Sequence, residues 1–578
     1  MPLRMRCLQT VFTLTLALFL AVMGSGAAAQ GLIDPGRNVP IEAVEVRLVN
    51  PSTDTALNSR LEDLVRRSVA AFPAGRYAQE QVAASLARAR QSADIADISH
   101  TVDFGPTGGV VLRIAVTLSE DGARAGPRGA LTERGAKDFP VLYEAEGTLL
   151  RAKLETLGMF YGNRDAWYGR PDLMLAGNPF AVGKPAGAGA SAWLEGFVHA
   201  GLYGITPLTD TVHVYAGVSA IASGSVGQEL FTDKTRSHLG VEDAFVGVVG
   251  GSTSHAGDRF VYAVSAGRQR FSVGDGMLIT NTASNGLNRA ALQSNPRWAS
   301  DMVFVAKAAY NHWRGDVFQV DPDEIPEIDS KTRIQGVNVE TRVLEQFDLG
   351  LTALRVPTST FNYYTTTGTF TREGLRVLDA RLRWQPAPVG SSGPFVAAEV
   401  ARQTNSRFDM RAWALAGEAG YVFATSAWAP TISYRYASFS GDDASTSRFE
   451  RWDPLLSGGN GETWVQGINH FKVFQNSNLV AHRVQVRLRP MATVELVPQL
   501  WVFRADSTTN LGGNPALSFL PSKDLGTEIN LTAKHFLSRS VMLQGHVAAT
   551  YAGGAVKDVL GPLSSPWVST MLFLRIGF

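Results

Sequence analysis

The chain has 578 residues, with 53 Lys and Arg against 52 Asp and Glu, so its formal charge is close to zero and no global field directs it to nucleic acid. Its single cysteine is Cys7, in the N-terminal leader described below; the rest of the chain therefore has no thiol for a disulfide, a thiolate metal site or a cysteine nucleophile. Charged residues make up only 18% of the sequence and glycines number 57, a composition that suits strands with one apolar face.

Arg4 and Arg6 precede the apolar run from Val11 to Met23, and Ala27, Ala28 and Ala29 stand before Gln30. This pattern predicts a secretory signal peptide over residues 1–29. The run is shorter than the ~20 apolar residues a spanning helix requires, and no later stretch supplies them. A membrane location must then be built from strands.

Residues 41–120 differ from everything after them. Ile41 to Val49 alternates like a strand, Ala56 to Phe72 and Tyr77 to Ile95 carry Leu, Val and Ala at helical spacing, and Thr101 to Phe104 with Gly109 to Leu118 reads as a hairpin. The order β-α-α-β-β resembles a POTRA domain, a periplasmic module that precedes some outer-membrane barrels. Another kind of small α+β domain fits the same order. Residues 121–145, rich in Gly, Arg and Glu, read as a linker.

From 147 to 578 the sequence becomes alternating runs of ~10 residues separated by turn signals, the pattern of a transmembrane antiparallel β-barrel. We place about eighteen strands here, an even number that leaves both barrel ends in the periplasm. Short connections at 206–210, 345–346, 385–394, 490–492 and 537–540 fall at every second position, as that topology demands. Residues 441–480 then form one long external loop, of a kind that can fold inward and narrow a pore.

The two parities of each strand separate by polarity. In the final strand Val568, Thr570, Leu572, Leu574, Ile576 and Phe578 share one face, and Arg575 lies on the other. A lipid-facing Arg at mid-membrane costs ~2–4 kcal/mol, so Arg575 must face inward. The same reasoning turns Arg151, Lys153 and Glu155 inward, with Arg342, Asp379, Arg381, Arg383, Arg435, Arg483, Arg487, Arg489, Glu528 and Lys534. The expected lumen is a water-filled path with more guanidinium than carboxylate. Such a ladder either draws an acidic chain through weak sites in series or braces the wall with ion pairs. Trp384, Trp413, Tyr421, Tyr434 and Trp567 are expected in the interfacial aromatic girdle.

Some residues go beyond the general barrel pattern. The run from Gly240 to Gly247 (GVEDAFVG) and that from Val264 to Gly276 (VSAGRQRFSVGDG) resemble an early strand pair and Gly-Arg-Gln turn of the alginate-export family of outer-membrane porins. Tyr436 to Asp443, Phe449 to Leu456, Gln475 to Leu479 and Leu525 to Leu531 are similar to that family's late loop and penultimate segment. The resemblance implies a monomeric eighteen-strand barrel that passively conducts a secreted exopolysaccharide, alginate-like or another acidic or neutral polymer. It further implies that Arg268 and Gln269 belong to a basic selectivity region and that Asp442, Asp453 and Asn478 shape an external gate. Simple parity places Arg268 and Arg270 with Val264 and Tyr262, so either a bulge intervenes or those apolar side chains also point inward.

The expected surroundings are outer-membrane lipid and lipopolysaccharide, the polymer, and periplasmic export machinery docked on residues 41–120. Alternatives are an Omp85-like or two-partner-secretion protein translocase, although no Val/Ile-Arg-Gly-Phe/Tyr element occurs late in the chain, and a general diffusion porin. An outer-membrane esterase is the remaining class. Ser252 to His255 invites a Ser-His pairing, but no acidic orienter is identifiable. The acidic stretch from Asp321 to Asp329 is either a solvated external loop or a Ca²⁺ site; no other cofactor or metal is expected.

Overall fold

The computed structural model describes residues 41–577 apart from breaks, chiefly at 71–76, 78–81, 91–94, 105–108, 119–140, 168–188, 230–234, 255–257, 388–391, 459–463, 510–519, 538–540 and 561–564. The leader and most of the expected linker lie outside the described residues.

The N-terminal unit contains β1 (Ile41–Leu48), α1 (Thr55–Ala70), β2 (Ile95–Phe104) and β3 (Val110–Leu118). The strands form a sheet of order β1-β3-β2, with β1 parallel and β2 antiparallel to β3. Leu61, Val65 and Val69 recur on one face of α1 and are buried against Ile98, Leu112, Ile114 and Val116, together with Val82, Leu86 and Ala89 from helical residues that follow. Each fully buried aliphatic side chain there contributes ~1.5–3 kcal/mol. β2 begins at Ile95, earlier than the expected Thr101, because Ile95 and Ile98 pair with β3 and bury into this core.

The chain then enters the barrel by a short strand, β4 (Val141–Ala145), which pairs with the start of β5 (Thr148–Arg164). The expected linker to 145 therefore stops short of 141. Next come β6 (Ala190–Pro207), β7 (Val212–Gly227), β8 (Arg236–Thr253), β9 (Arg259–Arg268), β10 (Met302–Tyr310), β11 (Trp313–Asp321), β12 (Arg333–Val343) and β13 (Phe347–Thr358). A separate hairpin, β14 (Asn362–Thr365) with β15 (Gly368–Thr371), leads to β16 (Leu375–Trp384). Then follow β17 (Gly393–Asn405), β18 (Arg411–Val422), β19 (Thr431–Phe439), β20 (Leu479–Met491), β21 (Val494–Arg504), β22 (Asp524–Phe536), β23 (Val541–Ala552), a short helix α2 (Gly554–Leu560) and β24 (Trp567–Gly577).

Each long strand pairs antiparallel with its neighbour, and β24 returns to β5 from Val568↔Arg164 to Gly577↔Glu155, closing an 18-strand barrel. Closure satisfies every edge, which lipid requires of a spanning sheet. Among the described residues no helix is long and apolar enough to cross a membrane.

Alternation of burial follows the sequence parity. In β24 Ser569, Met571, Phe573 and Arg575 are buried inside while Leu574 is exposed outward. Trp413, Tyr421 and Tyr434 are likewise exposed on the outer surface. Trp567 departs from the expected girdle: it is fully buried, and its indole N–H donates to Asn163 Oδ1 at 2.8 Å on the inner wall. β5 to β8 run 16 to 18 residues, well past the expected ~10. Inward Met159, Tyr161 and Trp193 continue the alternation upward because they pack against a loop inside the barrel.

Candidate functional site

We call the end at which β5 begins and β24 finishes the lower rim. Two connections from the upper end fold down into the lumen. One is the expected loop between β19 and β20, residues 440–478; the other, 269–301 between β9 and β10, was not anticipated as an inward element.

The second loop is held to the wall by buried polar groups. Ser225 Oγ accepts the Ala291 N–H at 2.8 Å, Ser223 Oγ donates to Arg289 O at 2.7 Å, and Glu242 Oε1 accepts the N–H groups of Trp298 and Ala299 at 2.7 and 2.9 Å. Asp323, between β11 and β12, receives Arg289 at 2.8 Å, Arg297 at 2.9 Å and Arg268. Burial works to raise the Asp323 carboxyl, but Arg268 and its two companions prevail and hold it below the usual carboxylate range. At the loop's tip Gly274 (φ 54) lies against Arg381 of β16 on another part of the wall; a Cβ there would meet Arg381 Nε at 2.6 Å, so the bare glycine lets the guanidinium approach the loop backbone.

The larger loop is anchored by Glu528 of β22. Its carboxylate accepts the backbone N–H groups of Ile468, Asn469 and His470 at 2.6, 3.0 and 3.0 Å, plus Thr550 Oγ1 and Asn530 Nδ2 at 2.9 Å each. The His470 ring stacks on Phe503 at 3.7 Å, and Lys472 donates to the Tyr161 hydroxyl while its ammonium lies 4.2 Å from that ring's centroid. Burial drives the His470 imidazole down to about 3 and the Lys472 ammonium down to about 7. The loops touch one another where Leu456 O accepts the N–H groups of Thr280 and Asn281 and Leu456 N–H donates to Leu278 O. Together they narrow the lumen from opposite sides.

Many of the strand residues expected to line the pore are buried within the barrel, and several of them contact carboxylates. Arg381 contacts Asp379 and Glu340, the latter at 3.3 Å. Arg483 meets Glu418 at 2.7 Å, and Arg435, directly across from Arg483, sits 4.4 Å over the Trp464 ring of the inward loop. Toward the lower rim Arg487, Arg489 and Lys534 converge on Glu495 at 3.0, 3.4 and 3.6 Å, and Arg575 and Lys153 on Glu155 at 2.7 and 3.7 Å. Arg151 is buried on the same arc, Arg342 pairs with Asp348 at 2.6 Å, and Arg383 lies at the lower end of β16. Among the described residues the bases on the arc from β20 round to β5 outnumber its acids near this rim.

Arg268 and Gln269 are not part of that ladder. The pairing of β9 with β8 runs without a shift through Gly267↔Phe245 to Arg268↔Ala244, so Arg268 keeps the parity of Val264 and Tyr262; from the strand's upper end it turns to Asp301 and Asp323, and Gln269 receives Ser265 Oγ at 3.0 Å. Beyond the end of β9 the charge of Arg270 acts on inward Asp243. Asp442 and Asn478 fasten the two ends of the large loop. Asp442 O accepts the Ser507 and Thr509 hydroxyls at 2.7 and 2.5 Å, and Asn478 Nδ2 donates to Ser507 O at 3.1 Å. Asp453 is buried in a bidentate pair with Arg372 at 2.7 and 3.0 Å, beside Tyr363. Burial raises its carboxyl, and Arg372 overrides this and holds it low.

Two other expectations meet the structure here. The carboxylates of the Asp321 to Asp329 stretch are dispersed onto separate partners, with Asp321 on Arg333, Glu324 on Ser330 and Asp329 on Lys331. No cluster of three or more His, Cys, Asp or Glu suited to a metal occurs among the described residues, so the stretch offers no assembled Ca²⁺ site. Ser254 belongs to the turn between β8 and β9, where it is bonded to Asp258, and His255 lies outside the described residues. A Ser-His-Asp grouping does occur at Ser219, His199 and Asp243. Ser219 and Asp243 both address His199 Nε2, at 2.9 and 3.5 Å, and Ser219 also donates straight to Asp243, so the imidazole cannot relay a proton between them as a triad does.

Residues 212–562, from β7 to the connection before β24, match the family described as Alginate export. No curated protein matches the sequence. Among solved structures the chain is similar to the outer membrane protein opdK from Pseudomonas aeruginosa at 13% identity and a TM-score of 0.44, over 74% of this chain and 98% of that one. It is also similar to OccAB2 of Acinetobacter baumannii, at 8% identity and a TM-score of 0.44 over 74% and 98% of the two chains. Pseudomonas putida OprB follows at 8% identity and a TM-score of 0.37, over 74% and 94%.

Proposed function

The chain belongs to the alginate-export family of outer-membrane channels, and from that membership we propose that its barrel passively conducts a secreted exopolysaccharide out of the periplasm. The observation that carries this reading is the inward ladder Arg381, Arg435, Arg483, Arg487 and Arg489 beneath two loops that narrow the lumen. A carboxylate-bearing or hydroxyl-rich polymer meets a series of guanidinium groups, several of them already in contact with a protein carboxylate, and is held firmly by none. Residues 41–120, whose element order resembles a POTRA domain, hand the polymer to the pore and dock the periplasmic export machinery. A monomeric barrel suffices for this.

The test is polysaccharide analysis in a strain lacking the protein. The expected outcome is loss of one secreted polymer with its accumulation in the periplasm. Unchanged secreted polysaccharide overturns the reading. A general small-solute channel is the second reading, favoured by the near-neutral charge of the whole chain; it predicts conductance that is indifferent to added polymer.

A further inference from the structure

The N-terminal sheet carries one irregularity. Ile41 pairs with Val110 and Ala43 with Val111, which leaves Glu42 as an extra residue in β1. Such a bulge re-aims a side chain. Glu42 accordingly leaves the hydrophobic face of the sheet, accepts the Gly109 N–H at 2.6 Å, and is buried, with a side chain only 1% exposed. Its carboxylate stands 4.0 Å from Arg383 at the lower end of β16, and its charge also acts on Arg489 at the lower end of β20.

These two arginines belong to different sectors of the wall. β17, β18 and β19 separate β16 from β20, an arc of about 19 Å at the usual strand spacing. A carboxylate in contact with Arg383, and whose charge is felt as far as Arg489, lies at the lower rim between these sectors. The two units are one covalent chain, and β4, the first strand after the N-terminal unit, pairs with β5 at the lower rim. Covalent attachment of this kind gives an effective concentration on the order of millimolar.

We propose that the N-terminal unit caps the lower mouth of its own barrel, with Glu42 as an intramolecular occupant of the basic rim that an incoming polyanion displaces. The proposal rests on the channel reading above but not on the identity of the exported polymer. Glu42 presents the same group, a carboxylate hydrogen-bonded at one oxygen, that an acidic sugar would present. The competition is between one tethered carboxylate and many untethered ones, so a polymer with repeated acid groups wins by multivalency where a single anion does not.

The experiment is single-channel recording of the full chain in planar bilayers with KCl, adding oligogalacturonate to the side bearing the N-terminal unit and neutral dextran as the comparison. Glu42→Gln keeps an acceptor for Gly109 and removes the charge. It should raise the open fraction about fivefold, the effect of losing one partly shielded ion pair, and oligogalacturonate should open the parent channel while dextran does not. The double variant Glu42→Gln with Arg383→Gln, which keeps the Gly109 acceptor, should be no more open than either single variant, separating a charge contact from a damaged fold. An open fraction unchanged in Glu42→Gln overturns the proposal, as does a double variant in which the two effects add in full. Both readouts use ions and a probe, so they stand or fall separately from the secretion experiment, which tests the export reading.

Discussion

Removing the Glu528 carboxylate should release the large inward loop and widen the pore. In the parent it accepts three backbone N–H groups, from Ile468, Asn469 and His470. Glu528→Ala deprives all three of their acceptor at once. A buried donor left unmatched costs ~1–3 kcal/mol, and lumenal water can reach part of the site, so the docked state should lose about 3–5 kcal/mol rather than the full sum. Next to Glu528 the contacts that remain are smaller, the His470–Phe503 stack, the Lys472–Tyr161 contact and Asn469 Nδ2 donating to Trp567 O at 3.2 Å, each on the order of 1 kcal/mol, while the Asp453–Arg372 pair still holds the earlier part of the loop. A loss of this size shifts the docking equilibrium by roughly two to three orders of magnitude. Single-channel conductance should therefore rise, and residues 440–478 should become sensitive to external protease, while heat-modifiable migration shows that the barrel itself is intact. Glu528→Gln, which keeps one oxygen acceptor, should fall between. If Glu528→Ala forms a normal barrel with parental conductance and a protease-resistant loop, the anchoring argument is wrong.

Two further outcomes follow from the same geometry. Burial brings the Lys472 ammonium from 10.5 down to about 7, so between those values the undocked loop binds the extra proton and raising the pH favours docking; below about pH 7 both forms are charged and the burial penalty is complete. Glu528 and Glu195 face this group and favour its charge, with Tyr161 and His546 as its other titratable neighbours, so conductance should decrease from pH 6 to pH 9 in the parent and lose that dependence in Lys472→Met. Replacing Arg487 and Arg489 by Ser leaves Glu495 facing Lys534 alone among the partners named above, and the reversal potential in a KCl gradient should move toward cation preference; an unmoved potential would place this sector outside the ion path.

The wall was legible in the sequence because each barrel strand has two chemically different faces, and a one-residue slip would exchange them. Arg483, Gln485 and Arg487 against Val484, Val486 and Leu488 admit one orientation in lipid. What the sequence concealed depends on contacts between distant residues. Glu528 reads as one more polar lumenal group, and its three backbone donors lie about 60 residues earlier in a segment with no periodicity. The inward course of 269–301 depends on Ser223, Ser225 and Glu242, all of which also read as ordinary inner-wall residues. Trp567 sits where a girdle aromatic would, but its parity is that of Ser569 and Arg575, so parity was the better guide than residue type. For Arg268 the register runs unbroken and the residue keeps the parity of Val264 and Tyr262; what the sequence hid was its reach to Asp301 and Asp323, which lie far off in the chain.

The paired state of the ladder bears on how a polymer could move through it. An unmatched arginine in a narrow pore would bind an acidic unit strongly and release it slowly, which hinders conduction. Arg381, Arg483 and Arg487 instead hold Asp379, Glu418 and Glu495. A passing carboxylate then exchanges with a protein carboxylate rather than filling an empty site, and the guanidinium has an ionic partner before and after. The free-energy change per step is the difference between two similar pairs, so it is small whatever the strength of each pair alone. On the export function proposed above, the carboxylates are therefore as necessary to passage as the arginines. Neutralising Glu418 or Glu495 should slow transit of an acidic polymer by deepening the wells, even though it makes the lumen more basic and the first encounter more favourable.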